Sequence, residues 1–93
     1  MTTNIEAVKS AILTKDREKT VEALTALQLA LPNDEESIAR IIMPVVITEL
    51  HQMLIDNLGV HPRAMLLKAR VPNKNRRANL FVQAMINGVR LSK

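Results

Sequence analysis

The sequence predicts an all-α protein, a compact bundle of four to five helices. Three observations carry that expectation. Apolar residues recur at helical spacing in several separate stretches, the breaks between them hold Pro, Gly or helix-capping residues, and no clear strand has a second strand to pair with. The chain has 93 residues, which is one domain at most. Hydrophobic residues make up 47% of it, yet Phe81 is the single aromatic, so the core must be aliphatic. A domain this small buries a modest share of its surface, and association with a second copy is a common remedy.

The first helix starts at Thr3-Asn4-Ile5-Glu6, which reads as a capping box with Thr3 as N-cap. Ile5, Val8 and Ile12 repeat on one face to about Leu13, and the polar cluster Thr14-Lys15-Asp16 is expected to break or kink the helix. In the second helix Val21, Leu24, Leu27 and Leu31 share a face, and Pro32 stops it. Asn33-Asp34-Glu35-Glu36 opens the third: a cap residue, then acids on the positive helix end.

The third helix is apolar nearly all round, through Ile38, Ile41, Ile42, Val45, Val46, Leu50, Met53, Leu54 and Leu58. Such a helix is central in its own bundle or covered by a second subunit, so dimerisation is one expectation. Pro44 removes a backbone donor and is expected to kink it or split it in two. Reading Ile41 to Ile47 as a strand fails, because proline does not suit a central strand. Gly59 is expected just past the helix end. Pro62 then opens a short fourth helix, PRAMLLKAR, and Val71-Pro72-Asn73 closes it. The fifth runs from about Lys74 or Asn75 to Leu91, with Ala78, Phe81, Val82, Met85, Ile86 and Val89 as its apolar stripe. Gly88 is expected to let its end fray.

Charge divides the single domain, residues 1–93, into two halves. Residues 1–56 hold five basic and nine acidic residues, a net of −4. Residues 57–93 hold eight basic residues and no acid, a net of +8. The asymmetry points to an anionic partner for the second half, or to head-to-tail pairing of unlike halves. The first ten residues show no basic segment followed by an apolar one, and the run from Ile41 to Ile47 is far shorter than a membrane span. The cytoplasm is therefore the expected location, and no membrane partner is expected.

Catalytic and metal-binding patterns are missing. There is no cysteine, and neither His51 nor His61 belongs to a zinc-ligand pattern. Two glycines cannot make a phosphate-cradling loop, and Ser10, Ser37 and Ser92 lack a nucleophile context. Glu49 and Asp56 are seven apart and share a helix face, which reads first as a solvated face. Met43, Met53, Met65 and Met85 read as core filler. No enzyme activity, cofactor or metal is expected.

The stretch VPNKNRRANL, residues 71–80, is the clearest functional signal. It places Lys74, Arg76 and Arg77 at a helix N-terminus, where acids normally sit. Each cation there costs a few tenths to about 1 kcal/mol relative to an acid, and a bound anion would reverse that sign. On the same helix Arg76, Asn79, Gln83, Asn87 and Arg90 follow at intervals of three or four. Arg, Asn and Gln are the side chains that read guanine and adenine edges. The candidate nucleic-acid-binding residues are therefore Arg63, Lys68, Arg70, Lys74, Arg76, Arg77, Asn79, Gln83, Asn87 and Arg90.

Stacking platforms for single strands need aromatics, so duplex DNA or structured RNA is the expected nucleic acid. The segment LIDNLGVHPRAMLLKAR also resembles a helix-turn-helix around Leu58-Gly59-Val60. It departs from that motif at Ile55, where a small residue is wanted, and at Leu66 and Leu67, which would face DNA. The alternative function is a protein-interaction module, an adaptor, inhibitor or self-assembling scaffold whose basic half docks an acidic protein surface.

Overall fold

In the computed structural model, which describes residues 2–61 and 74–91, the described residues are helical throughout apart from short turns and contain no strand. Helix α1 spans Thr2–Leu13 and α2 spans Arg17–Leu29. Residues 35–58 form one continuous helical stretch, α3, and α4 spans Lys74–Leu91. The short helix expected over PRAMLLKAR lies outside the described residues.

The first turn follows the expected chemistry. Lys15 adopts a left-handed φ of 60°, reversing the chain after α1. Asp16 then caps α2, its carboxylate accepting from the Lys19 N–H at 3.0 Å. Thr20, the one buried polar residue among those described, is satisfied locally because its hydroxyl donates to the Asp16 carbonyl at 2.7 Å. At the start of α3 the Asp34 carboxylate accepts from the Ser37 N–H at 2.9 Å. Hydrogen bonds from the Ser37 side chain and backbone hold the Asp34 carboxyl below its ordinary range. Helix α1 begins at Thr2, so Thr3 lies inside the first turn and not at the cap position.

α2 packs along both α1 and α4, while α3 packs its first half on α4 and its last turns on α1. The core between them is aliphatic: Val8 and Ile12 of α1, Leu24 and Leu27 of α2, Ile38, Ile42, Leu50 and Leu54 of α3. Every residue of the apolar stripe expected on α4, from Ala78 to Val89, is buried. The radius of gyration is 12.0 Å, against about 12 Å for a compact chain of this length.

α3 is not a plain α-helix. Ile38–Ile42 and Val45–Leu50 are wound as π-helix on either side of Pro44, and His51–Leu58 is α-helical. The Met43 N–H accordingly reaches back five residues to the Ile38 carbonyl. The buried residues explain the winding. Ile38, Ile42, Leu50, Leu54 and Leu58 stand at multiples of four. On an α-helix each step of four drifts about 40° around the axis, so the row would swing about 200° from Ile38 to Leu58. A π turn takes about 4.4 residues, and each step of four falls short by a similar angle. Alternating the two windings keeps the row on one side, facing the core.

The end of α3 is closed by Gly59, whose φ of 66° is left-handed. Its N–H donates to the Ile55 carbonyl, and the Val60 N–H to the Leu54 carbonyl, both at 3.1 Å. Arg17 adds a bond from Nη2 to the Leu58 carbonyl at 3.3 Å, a cation on the negative end of α3.

Gly88 does not end α4, which continues to Leu91. Its role is spatial: a Cβ there would stand 2.8 Å from Cγ1 of the buried Val60. Gly88→Ala gains up to about 1 kcal/mol of helix propensity but forces an overpacked contact costing about 1–3 kcal/mol. Net destabilisation is expected. In a Val60→Ala background the same change becomes stabilising, so a denaturation double-mutant cycle should show a change of sign.

Candidate nucleic-acid interface

The structure places Lys74, Arg76 and Arg77 in the first turn of α4, and that turn contains no acidic residue. The unusual cation cluster therefore sits on a positive helix end. Arg76 is exposed and Arg77 is half-buried. Arg90 is exposed in the last turn, where a cation suits the helix dipole. At about 1.5 Å per residue, Arg76 and Arg90 are about 21 Å apart along the axis. Arg63, Lys68 and Arg70 lie outside the described residues.

Burial of Ala78, Phe81, Val82, Met85, Ile86 and Val89 turns the opposite side of α4 outward. Asn79 and Asn87 are exposed there, and Gln83 is half-buried between them. Gln83 and Asn87 are joined to each other, and Gln83 and Asn79 are each joined to Gln28 of α2. Gln28 Nε2 donates to Gln83 Oε1 at 2.9 Å and lies 3.4 Å from both the carbonyl oxygen and Oδ1 of Asn79. Gln83 Nε2 donates to Asn87 Oδ1 at 3.1 Å. Gln28 was not among the residues singled out from sequence, since a lone glutamine in a helix gives no signal of a partner more than fifty positions away.

Arg90 also lines an open cleft of about 420 Å³ with Arg17, Glu18, Val21, Glu22 and Val89. Acids of α2 therefore border this end of the basic face. Phe81 is only 3% exposed, out of reach of a base.

Glu49 and Asp56, the carboxylates that share a helix face, are each partnered within the fold. Lys9 Nζ lies 3.2 Å from Glu49 Oε1, an ion pair between α1 and α3. Gln52 Nε2 donates to Asp56 Oδ1 at 2.9 Å. Among the described residues no three His, Asp or Glu side chains gather closely enough to hold a metal ion. None of the described helices is long and apolar enough to cross a membrane. No family model, curated protein or solved structure matches this chain, so its own residues carry the functional reading.

Proposed function

We propose that this chain is a small non-enzymatic nucleic-acid-binding protein of regulatory or accessory type. In this reading it is a single helical domain of the cytoplasm that contacts phosphates through its basic C-terminal half. The observation that carries the reading is the solvent side of α4. It presents Arg76, Asn79, Gln83, Asn87 and Arg90, without an acid on the helix, and opens on three cations in one turn. Cations here oppose the helix dipole, so the arrangement gains free energy once an anion occupies the helix start. Arg63, Lys68 and Arg70 would extend the phosphate contacts. The burial of Phe81 favours a duplex or structured target over a single strand.

The test is a binding titration with labelled duplex DNA and a structured RNA across a salt series. Engagement of five to seven phosphates predicts a log–log slope of about −4.5 to −6.3 on duplex DNA. No binding even at low salt would end this reading.

One observation favours a second reading, a protein-interaction module. Ile41 is 47% exposed beside exposed Pro44, within the most apolar stretch of the chain. A kink at Pro44 would present this surface to a second copy or to another protein, and the basic half would dock on acidic residues. Oligomers that loosen with salt, and purified protein free of nucleic acid, are the outcomes that favour it. Without Trp or Tyr the chain barely absorbs near-ultraviolet light, so a co-purifying nucleic acid stands out at once.

A further inference from the structure

The amides of α4 are tied into a directional relay. A glutamine or asparagine on an open helix face can rotate its amide by half a turn and offer oxygen and nitrogen in either order. Within the relay the order is set at Gln28, whose Nε2 also lies 3.4 Å from the Asn79 backbone carbonyl oxygen, which can only accept. Gln28 gives an N–H to Gln83, so Gln83 turns its oxygen toward α2 and its nitrogen toward Asn87. Asn87 then turns its oxygen toward Gln83, and its Nδ2 points the other way. The geometry uses one lone pair of the Gln83 oxygen and one of the Asn87 oxygen. Each amide keeps a second lone pair and at least one N–H for a ligand. One acceptor beside one donor on the same amide is what a bidentate contact to the N6 and N7 edge of adenine requires.

We propose that Gln28 is a positioning residue, which orients the amide row of α4 to read adenine-containing base pairs in the major groove of B-form DNA. The inference rests on the nucleic-acid reading above and narrows it. A B-form major groove admits a helix, whereas the deep, narrow groove of A-form RNA keeps side chains from the bases. The arginines at the two ends supply phosphate contacts that hold the helix in register but carry no sequence information. Gln28 stays behind the reading surface, on α2.

The test is selection from a randomised duplex library with the wild type, Gln28→Met and Asn87→Ser, each checked for folding by circular dichroism. Methionine keeps the length and helix preference of glutamine without its donor. Asn87 is exposed at the far end of the relay, so its replacement leaves the α2–α4 seam alone. The wild type is expected to prefer A·T over G·C at one or two positions by about tenfold. Both variants should flatten that preference, and Gln28→Met, which lies behind the reading surface, should keep the wild-type affinity for random-sequence duplex and the same salt slope. A preference that survives in either folded variant overturns the proposal. So does salt-dependent wild-type binding without any preference, which leaves the phosphate reading standing. Absence of all binding removes both.

Discussion

Replacing Arg76 and Arg77 together by glutamate is expected to abolish nucleic-acid binding and leave the protein folded. Neither side chain belongs to the buried core, which on this turn begins at Ala78. Acids in a first helical turn are worth about 0.3–1 kcal/mol each, so the substitution favours α4 as a helix. Binding moves the other way. Two charge-assisted contacts are lost, each worth about 1.5–3 kcal/mol, and two repulsions take their place. Affinity for duplex DNA at moderate salt should fall by about 100-fold or more, and the slope against log salt should become shallower by about two. Circular dichroism separates the two effects: full helical signal with lost binding assigns the loss to the site. Unchanged affinity in the folded variant would place the interface elsewhere, and the basic helix start would then be an ordinary solvated turn.

This variant also distinguishes the two readings of the charge asymmetry. If residues 57–93 dock on the acidic half of a second copy, the glutamates weaken self-association and the sedimentation coefficient falls. A phosphate site leaves sedimentation of the free protein unchanged and removes only the nucleic-acid complex. The −4 and +8 halves are compatible with both.

How much the sequence reveals depends on how local the cause is. The stripe of α4 was legible residue by residue, because a regular α-helix packed on one side leaves a 3.6-residue period in its own sequence. The break at Thr14-Lys15-Asp16 was legible because capping acts over three residues, and the start of α3 was legible to within one residue, since Asp34 and not Asn33 accepts the capping bond. Gly59 was legible for the same reason. The spatial role of Gly88 was not legible, since its need for space comes from Val60, 28 positions earlier. Gln28 gave no signal, because its partners Asn79 and Gln83 are far along the chain and two uncharged amides leave no charge pattern. The amide row on α4 was visible as a spacing, but its hydrogen-bonded order was not. Where a relation spans helices, only the packed structure contains it.

α3 gives the sharpest case, and it yields the largest stability effect expected for the core. By composition Ile41 and Ile42 are equivalent neighbours in an apolar run, and an α-helical reading counts both as core. The structure separates them: Ile42 is fully buried and Ile41 is 47% exposed. Ile42→Ala removes a side chain from the contact between α3 and the core and leaves a cavity, which costs about 2–5 kcal/mol. For a domain this size, whose whole stability is about 5–14 kcal/mol, that is a large share, and the urea midpoint should drop with the slope unchanged. Ile41→Ala should shift stability by less than about 1 kcal/mol, because alanine is the better helix former and little buried area is lost. If the two substitutions cost the same, α3 is wound otherwise than described, and the four-residue row from Ile38 to Leu58 would not face the core as one side. If Ile41→Ala is the costlier, Ile41 is covered in solution. Repeating the measurement across protein concentration then identifies the cover, since only a second copy makes that cost grow with concentration.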